Sequence, residues 1–155
     1  VLETHADAPT TPDALFDRIF ATNVRGAFAT TRALLPALRR DGPGLVVHVS
    51  SIAARTGQGS NDAYCASKAA LDSMTRSLAR ALAPDVRVVS VAPGLIEGPY
   101  ADALDPTFVD AHRRATPLGR LATSADVASA ILAVARDLTF TTGDVLPIDG
   151  GRPLV

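Results

Sequence analysis

The sequence predicts an α/β domain whose strands lie parallel in one sheet. Three observations lead there. Short apolar runs at 45–49, 86–92 and 145–148 have the length of strands. Longer stretches with apolar residues at helical spacing separate them, and proline, glycine and aspartate punctuate the junctions. Strands joined by helices of that length run parallel, through right-handed crossovers.

Taken in order, Thr11 followed by Pro12 reads as a helix N-cap with proline at the first helical position. From there Leu15, Phe16, Ile19, Phe20, Val24, Ala27, Phe28, Leu34, Leu35 and Leu38 recur at helical spacing. The band is broad enough for this helix to be covered on more than one side. Pro36 kinks it or marks its last turns, and Asp41-Gly42-Pro43-Gly44 ends it. Residues 45–49 form the first strand. Ser60, Asn61 and Asp62 offer N-caps for a helix over about 63–83, stopped by Pro84-Asp85. Residues 86–92 form the second strand, ended by Pro93-Gly94. Residues 95–123 read as irregular, with a short helix near 107–114. Ser124 caps a helix over 125–138, and a last strand at 145–148 runs into Asp149-Gly150-Gly151. Pro147 has no N–H for a ladder, which puts it at a sheet edge or a bulge. Residues 8–12 and 94–106 are rich in proline, and no internal repeat is visible.

The chain has 155 residues, which fits one domain able to bury roughly 70% of its unfolded surface. Hydrophobic residues make up 47% and charged ones 20%, a globular composition. A formal net charge of −1 gives no electrostatic case for nucleic acid or for an anionic membrane. No apolar run approaches the roughly 20 residues that span a bilayer. The single cysteine, Cys65, excludes an internal disulfide and fits a cytoplasmic protein. His5, His48 and His112 are too scattered for a ligand set, so no metal site is expected. Residues 1–12 mix Glu3, His5 and Asp7, unlike a secretory leader, and the chain starts at Val1 without a methionine. The expectation is a processed or truncated polypeptide.

In open parallel sheets ligands sit at the carboxyl ends of the strands. That rule directs attention to Ser50-Ser51, Pro93-Gly94 and Asp149-Gly150-Gly151. Tyr64 and Lys68, four residues apart, share one helix face. A phenol ordinarily loses its proton near pH ~10, and a nearby ammonium favours the phenolate. A tyrosine tuned in this way can exchange a proton with a carbonyl oxygen. Taken alone, the spacing fits an amphipathic surface pair better. Ser51, at the end of the preceding strand, can hydrogen-bond a substrate oxygen or simply cap a turn. Asn23 by itself bends its helix through local hydrogen bonds, and Pro93-Gly94 by itself is an ordinary turn. Cys65 reads as a buried small residue, and Arg39-Arg40 and Arg113-Arg114 as solvated or helix-end charges.

Six segments, in order and over nearly the whole chain, form a denser pattern: Asn23-Val24-Arg25-Gly26, Val47-His48-Val49-Ser50-Ser51, Tyr64-Cys65-Ala66-Ser67-Lys68, Pro93-Gly94-Leu95-Ile96, Pro117-Leu118-Gly119-Arg120, and Thr142-Gly143 leading to Ile148-Asp149-Gly150-Gly151. With these the chain resembles the short-chain dehydrogenase/reductase family, in the single-domain branch that includes 3-oxoacyl-carrier-protein reductases. The resemblance implies a Rossmann-like doubly wound parallel sheet, of which this chain holds the C-terminal part only. It implies an NAD- or NADP-dependent oxidoreductase moving hydride between nicotinamide and a small-molecule carbonyl or secondary alcohol. Tyr64 would be the acid/base. Lys68 would lower its pKa and hold the nicotinamide ribose hydroxyls, Ser51 would orient and polarise the substrate oxygen, and Asn23 would anchor a water relaying protons to Lys68. Pro93, Gly94 and Ile96 would wall the nicotinamide, and residues 95–123 would form the substrate lid. The two long helices would pair around a two-fold axis in a homodimer or homotetramer.

Two departures matter. The family usually has threonine two residues after the isoleucine, where Gly98 stands here. The glycine-rich turn that binds pyrophosphate at a helix N-terminus has no counterpart: Gly57-Gln58-Gly59 and Gly42-Pro43-Gly44 lack the strand-to-helix context. By resemblance Val1 falls just after the family's fourth strand. Residues 1–155 are therefore expected to be one incomplete catalytic domain of a longer natural protein. Two other readings stand beside the oxidoreductase. One is a non-catalytic remnant acting as a binding or assembly module. The other is a sugar-nucleotide epimerase or dehydratase, against which the chain's end soon after Gly151 argues.

Overall fold

A computed structural model describes residues 10–40 and 42–154. The expectations for His5, for the first part of the proline-rich stretch at 8–12 and for Asp41 lie outside them. Helix α1 (Asp13–Phe20) leads without a break into a π-helical turn (Ala21–Gly26) and then α2 (Ala27–Leu38). Strand β1 (Gly44–Val49) is followed by the short α3 (Ala53–Thr56) and the long α4 (Asp62–Leu82). Strand β2 (Val86–Pro93), α5 (Pro99–Asp102), α6 (Pro106–Arg114), α7 (Ser124–Arg136) and β3 (Val145–Ile148) complete the order, before a closing 3₁₀ turn (Arg152–Leu154).

The sheet has order β1-β2-β3 and both pairings are parallel. β2 is central, with Val86, Val88, Val89 and Val91 fully buried, as its unbroken valine-rich run predicts. Its alternating side chains meet helices on both faces. Val86 and Val88 pack with Ala79 and Leu82 of α4, and Leu35, Leu38 and Val46 close over that cluster. On the other face the Arg87 guanidinium donates to the carbonyls of Val134 and Leu138 at the end of α7. Pro147 lies on β3, an edge strand, where its missing N–H costs least.

The structure corrects several boundaries. Pro12, not Thr11, occupies the N-cap of α1, in extended conformation. The first long helix carries the wide π turn at 21–26, with Asn23 inside it. Pro36 lies in the last turn of α2. The loop after Ser51 contains α3, and the segment 95–123 contains α5 as well as α6. The N-cap of α7 is Thr123 rather than Ser124. Its hydroxyl accepts the Asp126 N–H while the Asp126 carboxylate accepts the Thr123 N–H, a reciprocal capping box. Arg120 adds a two-pronged ion pair to the same carboxylate, which holds Asp126 well below the usual carboxylate range. Thr123→Ala is expected to lower stability by about 1 kcal/mol, read as a reduced urea midpoint at unchanged slope.

Candidate active site

The site forms where β1 and β2 end. Beyond Val49, Ser50 is buried and its hydroxyl turns to the Lys68 carbonyl at 3.4 Å. The Ser51 hydroxyl accepts the Ala53 N–H at 3.1 Å, in the turn that leads into α3.

Tyr64 owes its place to the start of α4. Asn61, in extended conformation, caps the helix by accepting the Tyr64 N–H on Oδ1 at 2.7 Å. The ring is 9% exposed. Burial pushes the Tyr64 phenol up, and the nearby Ser51 hydroxyl works against that rise. The expected depression by Lys68 is not what sets the direction here, because the Lys68 ammonium donates to the Val49 carbonyl at 2.8 Å. It still lies 5.6 Å from the Tyr64 ring centroid, one helical turn away.

Burial pulls the Lys68 ammonium down and Asp72, a further turn along α4, opposes it. Lys68 is the only lysine in the chain. Amine acylation is therefore expected to modify Lys68 half-maximally at a lower pH than a solvated lysine, followed by peptide mass spectrometry across a pH series. Between the folded and unfolded pKa values the unfolded chain holds more protons at this site. Its contribution to stability therefore rises with pH through that window and is lost as pH falls.

Asn23 reaches α4 from the π turn: its Nδ2 donates to the Ser67 hydroxyl at 3.0 Å, and Ser67 donates to the Tyr64 carbonyl at 2.8 Å. The structure brings Asn23 to the residue before Lys68, not to the ammonium itself. Pro93 is buried at the end of β2, and the Gly94 N–H donates to Ile148. Ile96 forms a parallel bridge with Ala122, made through the Leu95 carbonyl and the Glu97 N–H. That pattern turns the Ile96 backbone groups away from Ala122. The bridge also ties the two ends of the 95–123 segment together. Gly98 has φ +129°, a conformation that strains a threonine, so the departure from the family pattern matches the local backbone.

Ser51, Tyr64, Lys68, Pro93, Gly94 and Ile96 all line one cavity of about 720 Å³, which Asn23 does not reach. The sequence offered Asn61 as one of three N-caps, and the structure selects it; the parts of Ser67, Tyr100 and Phe108 were missed. Composition carried one usable signal, since the only lysine and both tyrosines of the chain line this cavity. Among the described residues no group of three or more His, Cys, Asp or Glu side chains could hold a metal ion. Among them, too, no helix is long and apolar enough to cross a membrane.

A family model described as enoyl-(acyl carrier protein) reductase matches residues 2–152. The 3-oxoacyl-[acyl-carrier-protein] reductase of Thermotoga maritima is 36% identical over 88% of this chain and 56% of its own length. The chain belongs to the short-chain dehydrogenase/reductase family. A granaticin polyketide synthase protein of Streptomyces violaceoruber is 42% identical over 97% of the chain and 61% of its own length. The crystal structure of a 3-ketoacyl-(acyl-carrier-protein) reductase from Brucella melitensis complexed with NADH superposes with TM-score 0.87 at 31% identity, over 98% of this chain and 63% of that one. The fold is thus the family's Rossmann-like α/β fold, and this short-chain dehydrogenase/reductase chain spans about three-fifths of the length of the relatives it matches.

Proposed function

We propose that the chain carries the catalytic end of an NAD- or NADP-dependent oxidoreductase that interconverts a carbonyl compound and a secondary alcohol. The observation that carries this reading is that Ser51, Tyr64 and Lys68, the only lysine and one helical turn from Tyr64, together line the 720 Å³ cavity. A brucella relative holding NADH supports the cofactor class. When bound, the nicotinamide supplies or accepts the hydride.

The chain's own residues do the rest. The Tyr64 hydroxyl gives its proton to the carbonyl oxygen during reduction and takes it back during oxidation. Ser51 holds that oxygen and stabilises its developing charge. Lys68 holds the ribose hydroxyls, and Asn23, through Ser67, steadies the stretch of α4 that carries both. Pro93, Gly94 and Ile96, with Pro93 buried and Ile96 fixed by its bridge, fit the nicotinamide end. Among the described residues no strand–glycine turn–helix unit fits the pyrophosphate. Residues 95–123 act as the substrate lid of a single, incomplete catalytic domain over 1–155.

The test is consumption of NADH and NADPH with a carbonyl compound, followed by loss of the reduced-nicotinamide absorbance. Turnover that depends on the carbonyl and falls in Ser51→Ala supports the reading. A chain that neither binds nor oxidises either nucleotide favours the second reading, a non-catalytic binding module. The lack of a pyrophosphate-binding unit among the described residues is the observation behind that alternative.

The same reading includes self-association as a homodimer or homotetramer. It is supported by Phe16, Phe28 and Leu34, which α1 and α2 leave 44%, 42% and 51% exposed.

A further inference from the structure

The wall that the 95–123 segment gives to the cavity is apolar and aromatic. Its side chains include Leu95, Tyr100, Leu104, Phe108 and His112, and Glu97 lines it too. On α6 the Phe108 and His112 rings lie 4.4 Å apart, tilted by 41°. Burial together with Arg152 pushes His112 down, towards the neutral imidazole. Burial also pushes the Tyr100 phenol up, so it remains a neutral donor. Lys68 is the only cationic side chain among the cavity residues, and its ammonium is engaged by the Val49 carbonyl.

These facts sort substrates by chemistry. An anionic carbonyl compound meets Glu97 among the cavity residues and no arginine there; Arg120, the lid cation that senses Glu97, lies outside that lining and is committed to Asp126. A polyol brings several hydroxyls to a wall where Leu95, Leu104 and Phe108 offer no partner, and each hydroxyl left unpaired costs free energy. A flat ring gains from offset or edge contact with Tyr100 and Phe108.

We propose that the site selects neutral ketones, and the matching secondary alcohols, that carry an aromatic ring, held against the side chains of Tyr100 and Phe108. This rests on the oxidoreductase reading above and names the substrate class of the same site. Phe108 is 44% exposed, so its truncation leaves the fold in place.

Saturation-transfer NMR with three probes tests it: 1-tetralone as the aromatic ketone, fructose as the polyol ketone and acetoacetate as the anion. The expected result is binding of 1-tetralone, with its aromatic protons saturated most strongly, and no transfer to the other two. Phe108→Ala should weaken 1-tetralone binding by roughly three- to tenfold. Binding of fructose or acetoacetate as tight as that of 1-tetralone overturns the proposal, as does an unchanged affinity in Phe108→Ala. Parallel assays with NADH and NADPH separate the two levels. Nucleotide oxidation driven by fructose or acetoacetate but not by 1-tetralone sinks the ring preference and leaves the oxidoreductase standing. Binding of 1-tetralone without nucleotide oxidation by any probe sinks the oxidoreductase and leaves the ring preference standing.

Discussion

Replacing Tyr64 with phenylalanine is expected to cut carbonyl reduction by roughly 10²- to 10⁴-fold and to leave the fold unchanged. The ring is 9% exposed and packs at the start of α4, and phenylalanine keeps that packing. What disappears is one hydroxyl. Ser51 keeps the Ala53 N–H, so the turn into α3 is undisturbed. Steady-state rates beside circular dichroism and the urea midpoint make the distinction. A rate loss with an unmoved midpoint is the expected pattern. Near-normal turnover would remove Tyr64 from the chemistry.

Lys68→Met is expected to lower kcat/KM for the nucleotide by on the order of 10- to 100-fold, the value of a charge-assisted hydrogen bond. Methionine keeps an unbranched apolar stem on α4 and removes the ammonium. The Val49 carbonyl loses its donor at the end of β1, which adds a small structural cost. Because residues 1–155 hold no other lysine, the same variant should leave no acylated side-chain amine among them. The two readouts are independent. Loss of labelling identifies the site, and the loss in kcat/KM measures its role.

The sheet was legible because each strand is a short valine-rich run bounded by glycine, proline or aspartate, and helices of twelve or more residues fill the gaps. Pro147 was readable for a reason of chemistry, since a missing N–H is tolerated at an edge. Caps were harder. Thr123 and Ser124 are both good N-caps, and the choice fell to Thr123 through its exchange with Asp126, which depends on backbone angles. The π turn at Asn23 was not legible, because the apolar spacing through it stays compatible with an ordinary helix. At the site, Tyr64 and Lys68 were placed on one face by the helical period alone. Ser67 as the link to Asn23, and the ammonium's turn onto Val49, depend on how the helices and β1 pack, which no local pattern encodes.

We propose, above all, that this site moves hydride between nicotinamide and a carbonyl carbon while Tyr64 handles the proton. The most direct measurement is the fate of deuterium from NADH and NADPH labelled at the nicotinamide ring carbon that gives up hydride, with 1-tetralone or another ketone as acceptor. The account predicts an alcohol carrying that deuterium on its carbinol carbon, formed by the natural chain and not by Tyr64→Phe. An alcohol without deuterium, or nucleotide consumed with no alcohol formed, would contradict it.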